Sequence, residues 1–311
     1  MSVYNPQIIL GKGAQEPLGL SLKTLQRHFA CFGSSGSGKT VASKVLIEEL
    51  ARKGIPIIAF DPQGDIASLA LLEDADEVTN RGTDPSIQID FANNVEVVIW
   101  TPGSSKGLPL CINPLQFDGF SELNSEDKTR SFSSIAKNIA SLVGYDLDSD
   151  DGKSAEAVLA VVFEHCYEKN IELSDFSDVV KFLEDMPESV ATIVTTVGTQ
   201  NFLRGLTKKL SLLTLGARKL IFQTGIPANI DALLGKDSST DKTRISVIYL
   251  NTLHSSEEKE FFISGIAQLL YRWMLKHPLG DGQEGVQCAM FIDEIAPYIP
   301  PVKVPSCKEN L

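Results

Sequence analysis

The sequence predicts an α/β protein in which a mostly parallel central sheet is interrupted by a helical insertion. Three observations carry this expectation. Short apolar runs at 56–60, 95–100, 245–250 and 286–292 have the length and continuity of strands covered on both faces. A glycine-rich stretch, 33–38, leads into Val41, Val45, Leu46 and Leu50 at helical spacing, with Gly54 placed as a helix C-cap. From about residue 121 the pattern turns helical, with an apolar stripe at Ala155, Val158, Leu159, Val162, Phe163 and Cys166 and a shorter one at Val179, Val180, Phe182 and Leu183.

Composition narrows the class. The chain has 311 residues, 43% of them hydrophobic and 22% charged, which excludes disordered, collagen-like and coiled-coil proteins. Forty acidic against 28 basic residues leave a net charge of −12, so any nucleic-acid contact must be local. Eight basic side chains between 203 and 244 (Arg204, Lys208, Lys209, Arg218, Lys219, Lys236, Lys242, Arg244) face three acidic ones (Asp231, Asp237, Asp241), a local reversal to +5. The five cysteines are scattered and never spaced C-x-x-C, so neither a disulfide framework nor a zinc site is expected. Cys31 and Cys288 lie in apolar runs and are expected to be buried in strands. With no leader-like N-terminus and no apolar run long enough to cross a bilayer, a cytoplasmic location is expected.

The elements follow in order. Residues 8–10 and 18–22 read as an opening hairpin or a pair of edge strands, and Phe29, Ala30, Cys31 and Phe32 as a short strand running into the glycine loop. Residues 56–60 end in Asp61-Pro62-Gln63-Gly64-Asp65, a carboxylate-bearing strand end of the kind where α/β sheets put ligands. Residues 71–94 are acidic and turn-rich, and 95–100 form the next strand, ending in Thr101-Pro102-Gly103. Ser255 with Glu258 makes a capping box for a helix carrying Phe262, Ile266, Leu269, Leu270 and Trp273, which His277-Pro278-Leu279-Gly280 stops.

The glycine stretch Gly33-Ser34-Ser35-Gly36-Ser37-Gly38-Lys39-Thr40 fits the Walker A pattern in its required context of strand and helix. Its backbone N–H groups and the helix N-terminus suit the α- and β-phosphates of ATP. Lys39 suits the β- and γ-phosphates, and the Thr40 hydroxyl suits Mg²⁺. Phe291-Ile292-Asp293-Glu294 reads as its Walker B partner: Asp293 orders the Mg²⁺ and Glu294 polarises the attacking water. From Lys39 to Asp293 is 254 residues, too long for a compact nucleoside kinase or small GTPase, and the N-K-x-D base-reading motif is absent.

These residues resemble the HerA/FtsK superfamily. The run from Arg27 and His28 through Thr40, the segment Asp61-Pro62-Gln63-Gly64-Asp65 (similar to that group's D-x-H-G-E) and Phe291-Ile292-Asp293-Glu294-Ile295-Ala296 carry the resemblance. Weaker echoes lie in Trp100-Thr101-Pro102-Gly103 and in 222–234. The resemblance implies a RecA-like P-loop NTPase core, a ring of six subunits with ATP at the interfaces, and an ATPase that drives double-stranded DNA through a channel, in some members beside a nuclease partner. Asp61 and Asp65 are secondary candidates for the site; the family's histidine and glutamate are Gln63 and Asp65 here. His28 is expected to be a packed structural histidine. Arg204, Arg218 and Arg244 are equal candidates for a finger acting in trans.

The expected organisation is 1–22 as strands packing on the core, 23–117 as its first part, 118–243 as the helical insertion, and 244–311 as its second part with Walker B. Ser306 and Glu309 form a capping-box pattern just before Leu311, so the chain is expected to continue past that residue in a longer protein. The leading functional expectation is an ATP-driven DNA translocase or helicase. Two others stand beside it: an ATPase that moves or remodels protein, related to type IV secretion motors, and a nucleotide-binding fragment without turnover.

Overall fold

The computed structural model describes residues 8–117, 119–279, 285–302 and 305–311. The chain opens with β1 (Ile8–Lys12) and β2 (Pro17–Leu20), the hairpin reading of the two apolar stretches, in which Ile8 lies opposite Leu20 in an antiparallel pair. A turn of helix, α1 (Leu22–Leu25), is capped by the Ser21 hydroxyl. Then come α2 (Lys39–Arg52), β3 (Ile57–Asp61), α3 (Ala75–Asn80), α4 (Pro85–Asn94) and β4 (Val95–Pro102). The middle of the chain holds β5 (Leu108–Cys111), α5 (Ser125–Leu142), α6 (Asp150–Glu168), α7 (Phe176–Glu184), α8 (Glu188–Val197), α9 (Gln200–Ser211), α10 (Leu220–Gln223) and β6 (Ile226–Pro227). It closes with α11 (Ile230–Leu233), β7 (Thr243–Tyr249), α12 (Ser256–Lys276) and β8 (Ala289–Ile292).

These elements divide between two units. The first takes the chain as far as Thr101, with Asn229–Asn251 and His277–Glu294. Besides the β1–β2 pair, its larger sheet has the order β4, β7, β3, β8, with each neighbouring pair parallel. Ile57, Ile58, Ala59 and Phe60 are all buried, which is why a continuous β-branched run suits β3: apolar layers cover both faces. Leu46, Ile47 and Leu50 of α2 pack with Ile57, Ala59, Ile245 and Val247, joined by Phe91 of α4 and Ile8 of β1. Each fully buried side chain of that size contributes about 1.5–3 kcal/mol. The sheet also carries a buried polar link: Ser246 donates to the Leu233 carbonyl at 2.6 Å and accepts from Trp100 Nε1 at 3.0 Å.

The second unit holds Pro102–Ala228, Thr252–Lys276 and Ile295–Leu311. Here β5 and β6 form a short parallel pair and the helices supply the core. The α6 stripe is buried as its spacing predicts, while α7 buries Phe176, Val179 and Leu183. Phe117, Phe120, Phe132 and Tyr167 form one aromatic cluster, in which Phe117 and Phe132 meet edge to face with centroids 5.2 Å apart at 78°. The capping box forms: Ser255 Oγ accepts from the Glu258 N–H, and Glu258 Oε2 accepts from the Ser255 N–H. Helix α12 then runs to Lys276, before His277 and Pro278, as expected; Gly280 lies outside the described residues. Among the described residues no helix is long and apolar enough to cross a membrane.

Four expectations are corrected. Residues 29–32 form no strand, and Phe29 and Phe32 are 50% and 89% exposed. An apolar run makes a strand only when a neighbour completes its ladder, and the outer edge of β8 pairs with no strand among the described residues. Cys31 and His28, expected to be buried and packed, are accordingly exposed, and Cys288 is half-buried. The acidic stretch 71–94 contains two helices because Asp74 and Asp84 accept from the N–H of Asp76 and Ser86 as N-caps. Finally, Ser306 and Glu309 form no capping box: Ser306 donates to Asn138 Oδ1 at 2.9 Å, Glu309 pairs with Lys137 at 2.7 Å, and Lys308–Asn310 is one 3₁₀ turn.

Candidate functional site

The candidate nucleotide- and metal-binding residues all fall in the first unit, whereas Arg204 and Arg218 lie in the second. Gly33-Ser34-Ser35-Gly36-Ser37-Gly38 forms an exposed loop that passes into α2 at Lys39 and Thr40. Gly36 and Gly38 hold φ of 77° and 88°, in the left-handed region, so the curl that turns backbone N–H groups toward one point depends on glycine there. A Cβ at Gly33 would collide with Ser37 Oγ and lie 3.2 Å from the Lys39 side chain. Within the loop, Ser37 N–H donates to the Ser34 carbonyl, and Lys39 Nζ donates to the same carbonyl at 3.0 Å. Gly38 supplies no side-chain cap, which leaves the first-turn N–H groups of α2 available to an anion.

A second cluster gathers at the carboxyl ends of β3 and β8, adjacent parallel strands in which Phe60 is level with Ile292. Asp61 is fully buried and its carboxylate is spent on its own loop. Its Oδ1 accepts from the N–H of Gln63 at 3.2 Å and of Gly64 at 2.6 Å, and its Oδ2 accepts from Ala67 at 2.7 Å. Asp65 is exposed at the far end of that loop. Asp293 follows β8, its N–H donating to the Phe60 carbonyl at 3.1 Å. Burial raises its carboxyl above the ordinary value; the Glu294 N–H opposes this, and the charges of Glu294, Asp61 and Asp65 add to the rise. Glu294 is exposed and holds φ of 50°, a strained conformation for a residue with a Cβ.

The fold therefore brings Asp61, Asp65, Asp293 and Glu294 together. It joins neither Asp293 nor Glu294 to the glycine loop by a hydrogen bond or ion pair among the described residues. The donor chemistry fits Mg²⁺: a hydroxyl at Thr40 and a carboxylate at Asp293 are hard oxygen ligands, and a divalent cation would relieve the crowding of negative charge around Asp293. Among the described residues no group of three or more His, Cys, Asp or Glu is arranged as a metal cage, and Mg²⁺ in nucleotide sites takes few protein ligands.

Two supports escaped sequence reasoning. Lys44 on α2 donates to Ser68 Oγ at 2.5 Å, and Ser68 Oγ donates to the Asp65 carbonyl at 2.7 Å, tying α2 to the segment after β3. Gly64, with φ of 99°, sits so close to Tyr249 that a Cβ there would lie 3.3 Å from the ring. No local pattern signals either, because each depends on a tertiary approach. Of the finger candidates, Arg244 is committed within the first unit, to Glu96 at 2.8 Å and the Ala232 carbonyl at 2.7 Å.

The family model for the helicase HerA central domain matches residues 8–259. No curated protein matches the chain. Among solved structures, VirB4 of Thermoanaerobacter pseudethanolicus is similar in fold, with a TM-score of 0.55 and 11% identity, covering 99% of this chain and 81% of that one. The α/β fold is thus shared with that structure. The chain belongs to the helicase HerA central-domain family and is a P-loop ATPase of the HerA/FtsK type.

Proposed function

We propose that the chain is the ATP-hydrolysing part of a ring motor that moves double-stranded DNA. In this reading residues 33–40 hold the phosphates of ATP, Lys39 swings from the Ser34 carbonyl to the β- and γ-phosphates, and Thr40 and Asp293 hold Mg²⁺. Glu294 takes the proton of the attacking water as its oxygen approaches the γ-phosphorus, and Mg²⁺ supplies charge neutralisation at the phosphates. The observation that carries the reading is the convergence of Asp293 and Glu294 with Asp61 and Asp65 at the ends of neighbouring strands, in a chain with a Walker A loop.

Loss of ATPase activity in Lys39→Ala and stimulation of the wild-type rate by duplex DNA at low salt are the expected results. A full chain that neither binds duplex DNA nor is stimulated by it overturns the DNA part. An ATPase that moves or remodels protein is the second reading, favoured by the fold likeness to VirB4 and by the net charge of −12. Association as a six-membered ring, a nuclease partner and a cytoplasmic setting belong to the leading reading and follow from the family resemblance.

A further inference from the structure

Helix α9 buries Leu203, Leu206 and Leu210 and turns Asn201, Arg204 and Lys208 to solvent. At 100° per residue, positions 201, 204, 205 and 208 fall within an arc of about 100°, so Gly205 sits inside this exposed face. A glycine in the interior of a helix costs stability relative to alanine, and normally some crowding or backbone conformation explains it. For two other helical glycines the explanation is visible: a Cβ would meet the Asp146 backbone at Gly152 and Ile112 at 3.1 Å at Gly265. At Gly205 a Cβ meets nothing within 4 Å, and its φ is not left-handed. The fold does not need that glycine; a partner whose surface comes flush against the helix backbone would.

Charge on the same stretch points to what that partner is. Residues 189–230 contain no acid and five basic residues, where the chain average of 40 acids in 311 residues would place about five. Lys209 is absorbed by the fold, over the Tyr145 ring at 3.6 Å and on the Gly144 carbonyl. Arg204, Lys208, Arg218 and Lys219 are exposed, and none has an acidic partner among the described residues. An amide, an arginine and a lysine around a bare stretch of helix backbone are the side-chain types that meet phosphates and base edges in a duplex.

We propose that the Asn201, Arg204, Gly205 and Lys208 face of α9 is the surface by which this chain grips double-stranded DNA, with Gly205 letting the helix approach the sugar-phosphate backbone. The assignment rests on the DNA-motor reading above. It explains in one stroke an unsupported glycine and an acid-free stretch in an acidic protein.

The test measures binding of the full chain to a short duplex over a range of salt, together with Tm and ATPase with and without DNA. Gly205→Ala is expected to raise Tm by about 2 °C while weakening duplex binding roughly tenfold. Arg204→Ala and Lys208→Ala are each expected to lower the slope of affinity against salt by roughly one. Lys153→Ala, an exposed lysine on α6, is the control and leaves both unchanged. Basal ATPase without DNA stays at the wild-type rate in Gly205→Ala, Lys208→Ala and Lys153→Ala. If the wild type binds duplex and the α9 variants bind equally well, the face assignment falls and the motor reading stands. Failure of the wild type to bind duplex removes both, and displacement of DNA from the wild type by polyglutamate at equal charge reassigns the face to an acidic protein.

Discussion

Lys39 Nζ donates to the carbonyl oxygen of Ser34 at 3.0 Å, so the single cation of the glycine stretch 33–40 is held by the loop itself. Removing the lysine therefore disturbs no other element of the fold, and its effect is confined to ligand binding. Lys39→Ala is expected to keep the wild-type Tm and to lose nucleotide affinity by roughly a hundredfold or more, the worth of charged hydrogen bonds to phosphate. Titration calorimetry with ATP checks this; unchanged affinity would remove residues 33–40 from the binding site.

Glu294 combines two features that separate stability from chemistry: a side chain free in solvent and a φ of 50°. Glu294→Gln should bind ATP with wild-type affinity and stop hydrolysis, a loss in kcat alone. Glu294→Gly should stop hydrolysis too, yet should not pay the usual glycine penalty, because relief of the left-handed strain offsets it by about 1 kcal/mol. A thermal melt showing a clear loss of stability in the glycine variant would mean that the strain is absent.

Asp293 gives a pH dependence whose sign is set by burial. Its folded-state value is raised above that of the unfolded chain, so at neutral pH the native state carries an unfavourable charge. As pH falls through the raised value the charge is neutralised and stability is gained, until the unfolded chain also protonates near its ordinary value. Asp293→Asn should therefore have a higher Tm than the wild type at neutral pH without Mg²⁺, and the gap should close on acidification. Magnesium with nucleotide should raise the wild-type Tm more than that of the variant. A variant less stable than the wild type at neutral pH contradicts the assignment.

Cysteine reactivity reports on burial in both units. Burial pushes the Cys166 thiol up to about 11 and, with the charge of Glu260, the Cys307 thiol up to about 12. At pH 8 Cys166 would be thiolate in about one molecule in a thousand, and less for Cys307. Cys31 is exposed just ahead of the phosphate loop. Alkylation of the native protein followed by mass spectrometry should label Cys31 first and leave Cys166 and Cys307 until unfolding. Protection of Cys31 would restore the buried strand that its apolar neighbours suggest.

Where the sequence was legible, the signal was local and periodic. The α6 stripe, the Ser255 and Glu258 capping box and the strand ending at Asp61 all depend on spacing within one element. The misses share another cause. Phe29 and Phe32 have strand-forming side chains, but pairing is a property of the neighbouring ladder, which a run of residues does not reveal. Asp74 and Asp84 looked like turn residues because the same side chain that favours a turn also caps a helix. The candidate site divides likewise: Lys39, Thr40, Asp293 and Glu294 are proposed from motif chemistry, whereas the Lys44, Ser68 and Asp65 link joins residues whose approach only the fold creates.

Asp61 shows how a residue chosen as a site candidate can be held by structure instead. Its buried carboxylate accepts from the N–H groups of Gln63, Gly64 and Ala67, which fixes the loop carrying Asp65 toward Asp293. Asp61→Ala would leave those donors without their acceptor at the buried end of β3, a loss of about 3 kcal/mol. Asp61→Asn keeps an oxygen that accepts but adds an N–H₂ that cannot donate to another N–H, so it should lose roughly half as much. Denaturant unfolding of the two variants separates the roles. If Asp61 acts through the loop, Asp61→Asn retains nucleotide affinity and its ATPase falls in step with its stability. An Asp61→Asn variant as stable as the wild type but inactive would instead put the carboxylate in contact with the magnesium ion or its water.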